Sequence, residues 1–155
     1  MPKSLGWVRF DHYSIAVPDA RQAIGFHRKL FGLEADHDFT YETAGFRGGV
    51  LDMPNSQGQI ELISPAGDDS FLERFLQTHG PGLHHVAIEV EDIEAAMTYL
   101  RDEMGIEPFG GLQSDGQWQH TFIHPRDSGG VLYQLFEWEP GHGPGQRVTD
   151  FDKGS

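Results

Sequence analysis

The chain has 155 residues, no cysteine, and 24 acidic against 11 basic side chains, which gives a formal charge of -13. This length suits one domain, or two small modules that share a core. The missing cysteines exclude disulfides, thiolate nucleophiles and cysteine-ligated zinc. The negative charge argues against nucleic acid or an anionic membrane as a partner. No apolar run approaches a membrane span and the N-terminus lacks a signal-peptide pattern, so we expect a cytoplasmic protein.

An internal repeat with an offset of 73 residues runs through the chain. The segment DHYSIAV at 11–17 matches HHVAIEV at 84–90, and GQIELISP at 58–65 matches VLYQLFEW at 131–138. Intervening residues match at the same ungapped offset. This regularity indicates a tandem duplication, which we take as the basis of the fold.

Each copy has the pattern of one βαβββ module. An alternating strand that begins at His12 or His85 precedes an amphipathic helix whose N-cap is Asp19 or Asp92. Three further strand candidates follow in each copy. We therefore predict a single α+β domain over residues 1–155, with tandem βαβββ modules. Its expected parts are module one at about 9–66, a linker helix at about 67–82, module two at about 83–138 and a loose tail at 139–155.

Four polar residues occupy positions that the repeat relates. Because side chains alternate across a strand, His12 and His85 begin equivalent strands on the face turned away from the helix. Glu61 and Gln134 are equivalent in the last strands. One such histidine alone is more often a hydrogen-bonded core or surface residue. The four together favour a divalent-metal site between the modules, since two imidazoles, a carboxylate and an amide oxygen suit Zn, Co, Ni, Mn or Fe(II).

Three motifs spread over about residues 9–138 resemble those of a known superfamily. They are DHYSIAVPD, GLHHVAIEV and FIHPRDSGGVLYQL. They are similar to the vicinal oxygen chelate superfamily, which includes glyoxalase I, bleomycin-resistance proteins, extradiol dioxygenases and methylmalonyl-CoA epimerase, and most similar to its epimerase branch. The resemblance implies a homodimer and a curved mixed sheet around a metal cavity. It places the metal ligands at His12, Glu61, His85 and Gln134.

Two positions depart from the epimerase pattern, and both concern proton transfer. The last-strand position of the second module is usually Glu in these epimerases and is Gln134 here. A second family Glu, proposed as an acid/base, falls on Gly48 or Gly49. Some of these epimerases have Gln in the first module and Glu in the second, whereas this chain has Glu61 in the first and Gln134 in the second. The resemblance therefore makes Glu61 a candidate for both metal ligand and base.

His120 is the second candidate for the catalytic base. Its strand parity, shared with Phe122 and His124, points it to the cavity, and its partner at offset 73 is Arg47. We expect Arg47, Phe122 and His124 to bind substrate. The alternative is that His120 is an exposed strand residue.

The resemblance implies an isomerase, epimerase or lyase that works through a metal-stabilised enolate of a small molecule such as an acyl-CoA. A second hypothesis is an Fe(II) dioxygenase, in which His12, His85 and Glu61 form a two-histidine, one-carboxylate site. A third is a non-catalytic protein that binds a small molecule or confers resistance to it. Oxygen uptake would identify the second function, and binding without turnover would identify the third.

Overall fold

The computed structural model describes residues 3–41 and 45–143, and these residues form two βαβββ series in chain order. The first series and its linker helix are β1 (Trp7–Ala16), α1 (Ala20–Phe31), β2 (Ala35–Tyr41), β3 (Phe46–Asp52), β4 (Gln59–Pro65) and α2 (Phe71–His79). The second is β5 (Gly82–Val90), α3 (Ile93–Met104), β6 (Phe109–Ser114), β7 (Trp118–Ile123), α4 (Pro125–Ser128) and β8 (Tyr133–Trp138). The predicted α+β class and element order are confirmed. No helix among these residues has the length and apolar character to cross a membrane.

The two helices that follow the first strands repeat in detail. The bounds of α3 are those of α1 displaced by 73 residues. Asp19 and Asp92 each accept a hydrogen bond from a backbone N–H of the first helical turn, which supplies a partner for a donor that the helix itself cannot satisfy. Gly32 and Gly105 end the helices at φ of 66° and 65°, a left-handed conformation that favours glycine.

The chain divides into two compact units. The first unit runs from His12 to His84, and the second comprises the described residues up to Asp11 and from His85 onward. In the first unit the strand order is β2-β3-β4-β1, with β1 parallel to β4 and the other pairs antiparallel. Tyr13 and Ile15 pack with Leu62 against residues of α1, as the period-2 pattern predicts.

In the second unit the strand order is β5-β8-β7-β6, and β5 is parallel to β8. Ile88, Leu135 and Ile123 contribute to a core that includes Ile93 and Leu100 of α3. The residues that alternate with these therefore lie on the face opposite α3.

Strand β1 begins at Trp7, five residues before the predicted start. Residues 7–11 belong to the second unit, where Arg9 Nε lies 2.7 Å from Glu89 Oε2 and Phe10 packs against the α3 core. These contacts join residues far apart in sequence, so the local alternation that predicted His12 as the start did not contain them.

The third strands of the two modules are related by an offset of 72 residues instead of 73. Val50 pairs with Glu61, whereas Phe122 pairs with Gln134. Glu61 and Gln134 are 73 residues apart, but Val50 and Phe122 are only 72 apart, because the chain between the third and fourth strands is one residue longer in the second module. A one-residue change of register turns every side chain to the other face of the sheet.

Candidate functional site

The first unit places a histidine, a serine and a carboxylate together on the face opposite α1. Ser14 on β1 lies beside Glu61 on β4, and His12 precedes Ser14 on the same face. The Ser14 hydroxyl donates a 2.7 Å hydrogen bond to Glu61 Oε1. The His12 Nε2 atom lies 3.8 Å from the same oxygen, and His12 is buried. The buried Ser14 therefore orients the carboxylate that His12 approaches.

His12, Glu61 and His85 form a group with metal-ligand geometry. One donor atom of each lies within 4.8 Å of the others. Donors about 2.1 Å from a common ion are separated by about 3.0 Å at a right angle and about 4.2 Å when opposite. The 3.8 Å between His12 and Glu61 falls inside this interval. Imidazole nitrogens and a carboxylate oxygen are also the donors that Zn, Co, Ni, Mn and Fe(II) accept, so this set fits a divalent ion.

His84 occupies a separate aromatic environment in the first unit. Its ring centroid lies 4.8 Å from that of Phe75 and 5.6 Å from that of Phe71. Burial lowers the pKa of His84, and the nearby Glu61 carboxylate opposes that shift only in part. His84 is outside the group of three donors, in agreement with its parity in the sequence.

The second unit pairs His120 with Gln134. These residues lie on β7 and β8, on the face opposite α3, and the Gln134 Nε2 atom is 2.7 Å from His120 Nδ1. Gln134 is 7% exposed. The Phe122 ring lies 5.5 Å from the His120 ring on the same strand face. Burial lowers the pKa of His120, which favours the neutral imidazole.

Arg47 does not share a strand face with Glu61. In β3, Val50 is the residue beside Glu61, and Gly48 has the same parity, whereas Arg47 is exposed and has the opposite parity. By strand register, the counterpart of His120 in the first module is Gly48. The pairing of His120 with Arg47 at offset 73 came from an ungapped repeat and missed the displacement between the third strands.

His124 caps a short helix at the end of β7. Its Nδ1 atom accepts a 3.1 Å hydrogen bond from the Arg126 backbone N–H, and its ring meets Phe109 edge-on at 5.0 Å. The structure thus gives His124 a role at the start of α4. Its predicted part in substrate binding stays a prediction, as do those of Phe122 and Arg47.

Ser14 is the residue of this group that the sequence did not single out. Strand alternation had placed it on the face of His12, and its pairing with Glu61 follows once β1 and β4 are recognised as parallel neighbours. A serine on the ligand face, one strand away from a carboxylate on the same face, is the signal that would have found it.

The sequence of the chain is similar to that of a known family. Residues 11–123 match the family model described as Glyoxalase/Bleomycin resistance protein/Dioxygenase superfamily. Methylmalonyl-CoA epimerase of mouse mitochondria is 32% identical over 130 residues, covering 82% of this chain and 71% of the relative. The ethylmalonyl-CoA/methylmalonyl-CoA epimerase of Cereibacter sphaeroides is 33% identical over 132 residues, covering 82% and 96%.

A solved structure extends the similarity to the fold. A variant of Streptomyces coelicolor methylmalonyl-CoA epimerase, in complex with 2-nitronate-propionyl-CoA, has a TM-score of 0.76 and 28% sequence identity. The match covers 89% of this chain and 99% of that one. The similarity therefore spans both modules.

Proposed function

Because the chain belongs to the Glyoxalase/Bleomycin resistance protein/Dioxygenase superfamily, we propose that it is a divalent-metal-dependent epimerase of a branched acyl-CoA such as methylmalonyl-CoA. The observation that carries the proposal is the group formed by His12, Glu61 and His85. The epimerase relatives and the acyl-CoA bound to the Streptomyces protein support the substrate class. The donor set suits Zn, Co, Ni, Mn or Fe(II).

The three donors would hold the ion, with Gln134 as the predicted fourth ligand. A divalent ion there supplies positive charge that stabilises the negative charge a thioester gains when its α-carbon loses a proton. His12 is buried and Ser14 holds the carboxylate of Glu61, so the donors are pre-arranged by strands rather than by loops.

Glu61 is the residue we assign as the base. A carboxylate accepts a proton, whereas the neutral amide of Gln134 is far too weak a base. The Ser14 hydroxyl donates a 2.7 Å hydrogen bond to Glu61 Oε1, which helps to orient the carboxylate that would take the proton. The electrons of the broken C–H bond pass to the thioester, whose oxygen becomes negative. Inversion is complete when this electron pair returns to the α-carbon and takes up a proton from solvent on the other face, while Glu61 releases its proton to solvent. His120 is the second polar group we assign to this reaction.

A direct assay tests the proposal. Protein freed of metal by a chelator is given Co²⁺ and one stereoisomer of methylmalonyl-CoA in D₂O. We expect inversion at the α-carbon, followed by chiral analysis, and uptake of one deuterium, followed by mass spectrometry. Both should require the ion. Failure of Zn, Co, Ni, Mn and Fe(II) alike to promote either process, on methylmalonyl-CoA and on ethylmalonyl-CoA, would reject the epimerase.

A dioxygenase is the second candidate, because two histidines and one carboxylate also form the iron site of non-haem oxygenases. Anaerobic loading with Fe(II), followed by an oxygen electrode and a panel of catechols and 2-oxo acids, separates the two functions. Substrate-dependent oxygen uptake would favour the dioxygenase. Its absence alongside Co²⁺-dependent inversion would favour the epimerase.

We further propose, by analogy with the family, that the protein is a cytoplasmic homodimer. The molar mass in solution from light scattering tests the dimer, with 17.3 kDa expected for a single chain. Fractionation of the source cells tests the location.

A further inference from the structure

We infer that Gln134 is a positioning residue that fixes the tautomer of His120, so that His120 presents its Nε2–H to the substrate as a hydrogen-bond donor. This inference rests on the proposed epimerase for its chemical meaning. Its geometric content concerns two residues of the second unit and is independent of any bound ion.

The direction of the hydrogen bond decides the tautomer. The Gln134 Nε2 atom lies 2.7 Å from His120 Nδ1. In this orientation of the amide the nitrogen donates and does not accept, so Nδ1 carries the lone pair. A neutral imidazole with an unprotonated Nδ1 carries its proton on Nε2. The same amide orientation leaves Oε1 as the atom of Gln134 with which a cation would interact.

The surroundings hold this pair in place. Gln134 lies between Ala87 of β5 and Phe122 of β7, so its side chain leaves a central strand of the second unit. The Phe122 ring, 5.5 Å from the imidazole, restricts the ring of His120 from one side. Within residues 3–41 and 45–143, Gln134 supplies the one hydrogen bond recorded for the His120 side chain. Nε2 is therefore the ring nitrogen left for a ligand.

A donor at this position suits charge stabilisation better than proton removal. With its proton on Nε2, His120 cannot accept the substrate proton at that atom without first changing tautomer. A neutral imidazole N–H can instead donate a hydrogen bond to an oxygen that becomes negative. In the proposed reaction the α-proton passes to Glu61 and the C–H electron pair moves toward the thioester oxygen. His120 then donates a hydrogen bond to that oxygen and keeps its proton.

The tautomer is measurable by NMR in protein labelled with ¹⁵N-histidine. Long-range ¹H–¹⁵N spectra of metal-free protein at about pH 8 distinguish a protonated from an unprotonated ring nitrogen, and the missing signal in His120→Gln assigns the residue. We expect the Nε2–H form in the parent protein. Gln134→Glu should convert it to the Nδ1–H form, because a carboxylate only accepts. Gln119→Glu, on the opposite strand face, is the matched control and should leave the tautomer unchanged.

The result that overturns the inference is an Nδ1–H tautomer in the parent protein, or an unchanged tautomer in Gln134→Glu. The parent spectrum alone decides the matter should the variant fail to fold. Activity gives an independent arm: His120→Ala should reduce kcat about 100-fold, the scale for loss of one oxyanion donor, with a smaller change in KM. The expected tautomer without any epimerase activity would reject the proposed function and leave the role of Gln134 standing.

Discussion

The hydroxyl of Ser14 donates a 2.7 Å hydrogen bond to Oε1 of Glu61, and both residues lie on the strand face that carries His12. A group that orients a metal ligand usually changes metal affinity by about 10- to 100-fold when it is removed. Ser14→Ala should therefore weaken Co²⁺ binding by that factor, as measured by isothermal titration calorimetry. Ser64→Ala is the matched control, because Ser64 is also buried on β4 but has the opposite parity to Glu61. Equal Co²⁺ affinities in Ser14→Ala and Ser64→Ala would show that Ser14 does not orient a metal ligand.

The histidines of the group give the second prediction. His12→Ala and His85→Ala should each lose the bound ion, because each removes one of the donors that lie within 4.8 Å of one another. Metal content after gel filtration measures the loss. His27→Ala is the control, since His27 bonds the backbone oxygen of Ala23 on α1. Full metal occupancy in both His12→Ala and His85→Ala would contradict the proposed metal site.

Metal binding should also weaken in acid. Protons and metal ions compete for the same donor atoms, so we expect the metal affinity of the parent protein to be lower at pH 5.5 than at pH 7.5. Titrations at pH 7.5 and pH 5.5 measure the change. An affinity independent of pH over this range would show that the ion is held without histidine.

Glu61→Gln separates ligation from proton transfer. The substitution keeps an oxygen donor and removes the basic group, so we expect the ion to stay bound while epimerase turnover falls by about 100-fold or more. Metal content and the rate of deuterium uptake are measured on the same sample. Turnover of Glu61→Gln at the parent rate would show that another residue is the base, and His120 would then be the candidate.

The stability of the metal-free protein should fall as the pH is lowered, in part through His120. Burial lowers its pKa in the folded state below the value of about 6.5 expected in the unfolded chain. Between those two pKa values the unfolded chain binds more protons at this residue, so folding is less favourable at lower pH. The fall in urea midpoint from pH 7.5 to pH 5 should be smaller in His120→Gln. An equal fall in both proteins contradicts the prediction.

Much of the fold could be predicted from the internal repeat, from the alternation of side chains along strands and from the apolar periodicity of the helices. The helix bounds, the aspartate caps and the terminal glycines follow from local chemistry that one sequence contains. The convergence of His12 with Glu61 followed from parity, because both strands alternate regularly. The position of Arg47 did not, because one additional residue between β7 and β8 displaces the third strands and an ungapped offset cannot detect it.

The contact between Gln134 and His120 lay beyond sequence reasoning for a related reason. It depends on the antiparallel register of β7 and β8, which places Gln134 beside Phe122, and His120 lies two residues from Phe122 on the same strand face. Parity placed both side chains on one face but said nothing of which atoms would meet. The expected loose tail from residue 139 is described only to residue 143, and the remainder lies outside the described residues.

Anomalous X-ray diffraction from crystals loaded with Co²⁺ would show whether His12, Glu61 and His85 hold a divalent ion. We predict one strong anomalous peak for each chain, with a nitrogen of His12 and of His85 about 2.0–2.2 Å from it and a carboxylate oxygen of Glu61 at a similar distance. A peak bound by other residues, or no peak near these three at saturating Co²⁺, would contradict the account.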